Sequence, residues 1–189
     1  MRVFIAGASG VLGVRLIPLL AGDHAVAGMT RTAAKAGTLR ALGAEPVVCD
    51  VYDRARLADA IASFRPDLVI DELTDLSDDP KRIDAAANAR IRTDGTKGLL
   101  DAARGVRVIT QSVAWPLRGE GQTAVETHER LVLDAGGIVV RYGQLYGPGT
   151  YHERDVPDGP RIHVDDAARR TLEALDAPPR TVLTLIEER

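Results

Sequence analysis

Short apolar runs alternate with amphipathic segments from one end of the chain to the other. The apolar runs have the length and composition of buried strands, and the segments between them have the apolar spacing of helices. The predicted strands are 2–6, 24–30, 45–49, 67–70, 107–110, 137–142 and 181–186. The predicted helices run from the first glycines to about residue 20 and then over 32–42, 54–64, 80–103, 123–135 and 164–176. This alternation predicts βαβ units around a buried parallel sheet, which is the α/β fold class.

The length of the chain indicates a single domain. It has 189 residues, which is typical of one domain, so we expect one domain over residues 1–189. The least regular segment is 147–161, which is rich in glycine, proline and charge. We expect this segment to form a mobile loop.

Composition and charge narrow the classes of partner. Hydrophobic residues make up 45% of the chain and the net charge is −3, which argues against nucleic acid or an anionic membrane surface as a partner. A single cysteine, Cys49, excludes a disulfide within this sequence and a multi-cysteine metal site, and no other grouping has metal-ligand spacing. No apolar run is long enough to span a bilayer, so we expect a cytoplasmic protein.

A glycine-rich turn, GASGVLG, follows the first predicted strand and opens the first helix. Gly7 permits a tight turn, Gly10 lets backbone approach a ligand, and Gly13 lets the helix pack close to the sheet. The N-terminus of such a helix offers free N–H groups and a positive dipole end to a phosphate. The turn therefore predicts a dinucleotide site, with a plain flavodoxin-like turn as the alternative.

The end of the second predicted strand favours one nicotinamide cofactor over the other. A carboxylate there would bind the ribose 2′-hydroxyl of NAD, but the sequence has Thr30 and Arg31, with Lys35 one turn later. A guanidinium suits a 2′-phosphate, so NADP(H) is favoured over NAD(H), unless Arg31 is simply a solvated surface residue. Asp50 could accept a hydrogen bond from adenine, with Val51 packing nearby, or it could cap the following helix.

Eight motifs follow one another along the chain: GASGVLG, MTR, CDV, DLVIDELT, GTKGLLDAA, VITQS, RYGQLYGPGT and IHVDDAA. In this order they resemble the short-chain dehydrogenase/reductase superfamily, in its extended, NAD-dependent epimerase/dehydratase-like branch. The resemblance implies a doubly wound, parallel, seven-stranded Rossmann sheet that binds NAD or NADP. The positions that match the cofactor contacts of the family are Gly7, Ser9, Gly10, Val11, Leu12, Arg31, Asp50, Val51, Leu73, Thr74, Tyr142 and Gly143.

The catalytic residues of the family are only partly present. The resemblance implies a serine or threonine, a tyrosine and a lysine four residues after the tyrosine. Ser112 matches the serine, but the tyrosine and lysine positions fall at Gly121 and Val125. The chain is also short between GPGT and IHVDD and after the last strand, so we expect a reduced substrate lobe.

Arg92 occupies the position of a structural asparagine of the family. Its side chain could orient an anionic substrate, offset developing charge, or form an ion pair with Asp71 or Glu72.

The remaining candidates concern proton transfer. Ketone reduction requires a hydride and a proton on the oxygen. Ser112 would hold that oxygen and relay a proton from water or substrate, or it is a strand-end hydroxyl that satisfies local backbone groups. Tyr142 is a second catalytic candidate, with packing as its alternative role. Asp165 is expected to cap the last helix, beside a structural His163, and His128 is expected to face solvent.

Together these features predict an NADPH-dependent reductase of a small-molecule ketone, for which a polyketide-type metabolite is one setting. Because the tyrosine and lysine are absent, a non-catalytic NADP(H)-binding sensor or scaffold is the alternative function. A nucleotide-sugar epimerase or dehydratase is a third hypothesis, but its reaction normally requires the missing residues. We expect a small-molecule substrate, no nucleic-acid or membrane partner, and a possible homodimer through helices 80–103 and 123–135.

Overall fold

The computed structural model describes residues 1–77 and 79–187, and within them nine strands. The strands are β1 (Arg2–Ala6), β2 (Ala25–Thr30), β3 (Glu45–Val48), β4 (Leu68–Asp71), β5 (Arg107–Val113), β6 (Ile138–Tyr142), β7 (Gln144–Tyr146), β8 (Arg161–His163) and β9 (Val182–Leu185). Seven of them form one sheet in the order β3-β2-β1-β4-β5-β6-β9, and every neighbouring pair is parallel. The predicted α/β fold with a seven-stranded parallel sheet is confirmed.

Helices cover both faces of this sheet. They are α1 (Gly13–Leu20), α2 (Ala36–Ala41), α3 (Arg54–Phe64), α4 (Ala85–Arg90), α5 (Thr96–Ala102), α6 (Glu120–Asp134) and α7 (Val164–Thr171). Two apolar cores result. The first core includes Leu16 of α1 and Ala167 of α7, and the second core includes Leu57 of α3 and Leu99 of α5. Each such leucine is buried and contributes about 1.5–3 kcal/mol. The five central strands are buried from both sides, which explains their mostly apolar sequences, whereas the edge strands β3 and β9 are partly exposed.

The order of the strands fixes where a ligand can bind. From β1 the chain moves outward to β2 and β3, and it then returns to the other side of β1 to form β4. The crevice at the carboxyl ends of β1 and β4 is therefore the topological switch point, where open α/β sheets bind their ligands. The glycine turn follows β1 at this edge, and residues 72–77 follow β4.

Some details of the sequence prediction need correction. The predicted helix 80–103 consists of a 3₁₀ turn, Pro80–Arg82, and a separate helical run that begins at Ala85, where the side chain of Asp84 accepts a hydrogen bond from the N–H of Ala87 (3.0 Å). A π-helical segment, Ile91–Gly95, joins α4 to α5. Strands β7 and β8 form a small second sheet that the apolar pattern does not predict.

The segment 147–161 connects β7 to β8 and makes several contacts. The N–H of Gly147 donates to the carbonyl of His152 (2.9 Å), and Arg15 of α1 donates to the carbonyl of Pro148 (2.7 Å). The mobility expected of this segment stays a prediction. Over the part of the chain that the structure describes, no helix is long and apolar enough to cross a membrane.

Candidate functional site

The glycine turn lies directly against the chain that follows β4. Gly7 has a φ of +83°, and a Cβ at this position would lie 2.6 Å from the carbonyl oxygen of Glu72. A Cβ at Gly13 would lie 2.6 Å from the backbone of Ala8. Side chains are excluded at both places, so backbone N–H groups and the start of α1 form the floor of the crevice. This cradle fits the pyrophosphate of a dinucleotide.

The end of β2 is tied to the glycine turn. Ser9 Oγ lies 2.9 Å from Thr30 Oγ1, which also accepts from the N–H of Thr32 (3.2 Å). The guanidinium of Arg31 forms an ion pair with Asp75, at 3.0 Å, in the segment after β4. The exposed side chain of Arg31 joins the segments that follow β2 and β4, and its contact with a cofactor stays a prediction.

The candidates that follow β3 have separate roles. Asp50 accepts a hydrogen bond from the N–H of Tyr52 (2.9 Å), whereas Asp53 caps α3 by accepting from the N–H of Arg56 (3.1 Å). The helix cap is thus Asp53, and Asp50 remains exposed at the sheet edge. Val51 beside it is buried.

The other predicted cofactor contacts come from three segments. Val11 and Leu12 pack on the first core next to α1. The carbonyl of Leu73, which precedes Thr74, accepts from Gln111 (3.1 Å). Gly143 donates its N–H to Leu185 (2.9 Å), and a Cβ at Gly143 would lie 2.7 Å from the Arg161 backbone of β8. The structure thus brings most of these positions to one edge of the sheet, while Gly143 packs against the small sheet.

Ser112 lies in a partly buried charged cluster that the sequence did not predict. Its hydroxyl donates to Glu129 Oε1 (2.6 Å), and Arg141 donates through Nε to the same oxygen (2.9 Å) and through Nη2 to Oε2 (2.5 Å). Burial opposes the charge of Glu129, but the hydrogen bonds from Arg141 and Ser112 outweigh it and keep its pKa below the ordinary value. Glu129 is therefore ionised at neutral pH, and the proton of Ser112 is donated to it.

The positions of the family's tyrosine and lysine lie on α6, beside a cleft. Gly121 and Val125 have no side chain that can donate a proton, and Val125 lines a cleft of about 340 Å³. Trp115, Glu129 and Arg141 also line this cleft. The cleft thus holds an aromatic side chain together with Arg141 and with Glu129, the hydrogen-bond partner of Ser112.

His128 is buried, contrary to the expectation that it faces solvent. Only 1% of it is exposed. Its Nε2 lies 2.9 Å from the carbonyl of Gln111 and from Thr110 Oγ1, and its Nδ1 lies 2.7 Å from Thr96 Oγ1. Burial lowers the pKa of His128. Nε2 carries a proton, because Gln111 offers a carbonyl oxygen and Thr110 donates its own hydroxyl proton to Asp71. Nδ1 faces both the Thr96 hydroxyl and the carbonyl of Arg92, at 3.2 Å. The apolar stripe of α6 includes this polar residue because neighbouring elements supply its partners.

Tyr142 and Glu72 form a second buried pair, on the side of α7. The hydroxyl of Tyr142 lies 2.7 Å from Thr171 Oγ1 and donates to Glu72 Oε1 at 3.3 Å, while Thr171 donates to the carbonyl of Ala167. Burial, followed by the charge of Asp71, raises the pKa of Glu72 to about 8. Burial also raises the pKa of Tyr142. Tyr142 is only 3% exposed, and its catalytic role stays a prediction.

Two further expectations about charged residues are settled by the geometry. Among the described residues, Arg92 forms no ion pair with Asp71 or with Glu72. The N-cap of α7 is His163, whose Nδ1 accepts from the N–H of Asp165 (3.3 Å). The predicted cap, Asp165, instead pairs with Arg15 at 2.7 Å, because its position one residue into the helix directs it toward α1.

The parallel sheet, the switch point and the glycine turn define a Rossmann domain of the extended short-chain dehydrogenase/reductase type. The chain belongs to the NAD dependent epimerase/dehydratase family, whose model matches residues 3–128. This confirms the resemblance of the sequence motifs. Within the described residues, no group of three or more histidine, cysteine, aspartate or glutamate side chains could hold a metal ion.

Related proteins include a reductase and several epimerases. The chain is 34% identical to a 3-diazoavenalumate denitrifying reductase from a Streptomyces species, over 94% of this chain and 73% of the relative. That alignment spans 226 positions, more than the length of this chain, so the relative has segments that this chain lacks.

The similar solved structures share the fold. The UDP-glucose 4-epimerase of Thermotoga maritima, with UDP-glucose, matches with a TM-score of 0.82 and 18% identity, over 100% of this chain and 78% of that one. The UDP-glucose 4-epimerase of Thermus thermophilus, in complex with NAD, matches with a TM-score of 0.81 at the same identity and coverage. A dTDP-glucose 4,6-dehydratase from Bacillus anthracis, in complex with NAD, has a TM-score of 0.79 at 11% identity, over 100% and 76%.

Proposed function

We propose that this protein is a reductase that transfers a hydride from NADPH to a small molecule. The family, the relative that is named a reductase and the glycine cradle at the switch point support this proposal. Gly7, Ser9 and Gly10 and the start of α1 would hold the pyrophosphate, with Asp50 and Val51 at the adenine. Bound there, the nicotinamide would supply the hydride.

The observation that carries the proposed chemistry is the missing acid. Neither Gly121 nor Val125 can donate a proton, and the proton of Ser112 is donated to an ionised Glu129. Tyr142 is buried against Glu72 with its pKa raised. A substrate whose reduction requires no proton from the protein fits this site better than a ketone does.

A diazo group meets that requirement. In a diazonium ion, the hydride forms a new C–H bond while the C–N bond breaks, and N₂ leaves with the electron pair of that bond. Atoms and charge then balance without a proton. The named activity of the 34% identical relative is the denitrification of a diazo compound. We therefore propose a diazo-bearing small molecule as the first substrate class for this chain.

Ketone reduction is the second candidate, and the position of Ser112 favours it. Ser112 lies at the carboxyl end of β5, beside the cleft that Trp115 lines. Its hydroxyl could hold a carbonyl oxygen if it turned away from Glu129, with water or an acidic group of the substrate supplying the proton. Tyr142 is the other proposed contributor to this reaction.

The preference for NADPH over NADH is proposed on the basis of Arg31. Its side chain is 49% exposed and follows the end of β2, where the guanidinium can turn toward a 2′-phosphate. Asp75 forms an ion pair with the guanidinium of Arg31, so a 2′-phosphate has to compete with this carboxylate for Arg31.

Cytoplasmic location and a homodimer through α4, α5 and α6 stay predictions. Sedimentation equilibrium tests the homodimer.

Turnover with two substrate classes tests the proposal. The chain is mixed with NADPH and either carboxybenzenediazonium or a panel of aryl ketones, and cofactor oxidation and N₂ release are followed. The expected result is one N₂ released for each NADPH oxidised, with turnover unchanged in Tyr142→Phe. Oxidation with ketones alone, lost in Ser112→Ala, would favour the second candidate. Tight cofactor binding without oxidation by either class would support the sensor alternative.

A further inference from the structure

Arg92 carries a buried guanidinium that has no partner in the described part of the chain. Only 5% of the residue is exposed, and its Nε and Nη1 atoms are buried without a hydrogen bond. Arg141, in contrast, donates two hydrogen bonds to Glu129. A buried, unpaired charge is strongly unfavourable, and burial accordingly lowers the pKa of Arg92. An arginine that is buried without a partner, despite this unfavourable free energy, indicates a binding site for an anion.

The backbone holds this side chain beneath the surface. Arg92 lies in the π-helical segment Ile91–Gly95, where Ile91 and Gly95 are buried with it. Its carbonyl oxygen lies 3.2 Å from Nδ1 of the buried His128. Single π-helical turns within α-helices frequently occur at functional sites. This π-helical segment carries Arg92 between α4 and α5, with the Nε and Nη1 atoms of its guanidinium buried.

The nearby acidic groups stabilise the charge of Arg92 without binding it. Asp71 and Glu129 favour its charged form, yet neither forms an ion pair with it among the described residues. Both carboxylates already accept hydrogen bonds from other groups. The Nε–H and Nη1–H groups of Arg92 are consequently left without an acceptor among the described residues.

We infer that Arg92 is an anion subsite that binds a carboxylate group of the substrate. Guanidinium N–H groups bind carboxylates in pairs, and the charge of one carboxylate balances one guanidinium. A dianionic phosphate beside Asp71 and Glu129 would leave an excess of negative charge. The charges of Asp71, at the end of β4, and of Glu129, the partner of Ser112, both favour the charged form of Arg92. Arg92 therefore lies near the carboxyl ends of β4 and β5, where open α/β sheets bind their ligands. The inference rests on the proposed function, because it names the class of substrate.

Two probes of equal shape test the subsite without turnover. Benzoate and benzamide differ in charge, and their dissociation constants are measured by ligand-observed NMR on the whole chain, with and without NADP⁺. The variants are Arg92→Met, which removes the charge, and Arg92→Lys, which keeps it. Arg104→Met is the control, because Arg104 is also an arginine and follows α5 with 86% of its side chain exposed.

The wild type should bind benzoate roughly 10- to 100-fold more tightly than benzamide, as expected for a buried charge-assisted hydrogen bond. Arg92→Met should remove that ratio, Arg92→Lys should keep part of it, and Arg104→Met should leave it unchanged. Arg92→Met should also unfold at the same temperature as the wild type or higher, since it removes an unpaired charge.

Three results would overturn the inference. They are equal binding of the two probes by the wild type, an unchanged ratio in Arg92→Met, and stronger displacement of benzoate by inorganic phosphate than by acetate. A clear loss of stability in Arg92→Met would also count against it, because it would assign Arg92 a structural role. Failure of NADPH to bind or react would refute the proposed function but would leave the benzoate ratio as it stands.

Discussion

Replacement of Glu72 by glutamine should stabilise the protein, and by more as the pH rises. Glutamine has the shape of a protonated glutamate but cannot ionise. In the folded chain the pKa of Glu72 is raised to about 8 from an ordinary value of 4.5, first by burial and then by Asp71. The folded state therefore holds a proton that the unfolded state releases between these two values. The contribution of Glu72 to stability is full below pH 4.5 and is lost as the pH rises toward 8.

The size of the effect follows from the two pKa values. Each unit of difference corresponds to about 1.4 kcal/mol, so the full difference amounts to roughly 3–5 kcal/mol. Glu72→Gln and the wild type should have similar free energies of unfolding near pH 5 and should diverge by a few kcal/mol near about pH 8. Urea denaturation across this range measures the difference, with Glu45→Gln as the control because Glu45 is exposed. A constant difference between Glu72→Gln and the wild type at all pH values would refute the reasoning.

Three further changes test other parts of the site. Asp75→Asn should release Arg31 and raise NADPH affinity roughly 3- to 10-fold over NADH in calorimetry, as expected from about 1 kcal/mol for an exposed pair; equal changes for both cofactors would contradict this. Glu129→Gln should cost about 1–3 kcal/mol in urea denaturation, because Ser112 and Arg141 lose a charged acceptor, whereas an unchanged midpoint would argue against the cluster. Gly7→Ala should cost about 1–3 kcal/mol and abolish cofactor binding, while its control at an open position, Gly22→Ala, should do neither.

The parts of the fold that depend on local sequence could be predicted. The seven strands of the main sheet are continuous apolar runs, and α3 occupies the predicted span 54–64 because its apolar spacing and its cap, Asp53, are both local. The glycine turn was predicted from its motif, although the close contact that requires glycine at position 7 comes from Glu72, after β4. The strands, α3 and the glycine motif can each be recognised from residues that are neighbours in the sequence.

The parts of the site that depend on distant partners could not be predicted. His128 and Glu129 are buried because Thr96, Thr110 and Arg141 supply their hydrogen bonds from other elements. A sequence signal did exist, since residues 125, 128, 129 and 132 have the spacing of one helix face and are all buried. Polar residues on an apolar stripe indicate a buried network, although the sequence does not identify its partners.

The fate of the hydride tests the central claim most directly. NADPH that carries deuterium at the transferred position of the nicotinamide is incubated with carboxybenzenediazonium and the chain in ordinary water. Hydride transfer that requires no proton predicts benzoate with one deuterium on the carbon that lost N₂, in equal amount to the cofactor oxidised. A product that carries only solvent hydrogen at that carbon, or a cofactor that stays reduced, would contradict the claim.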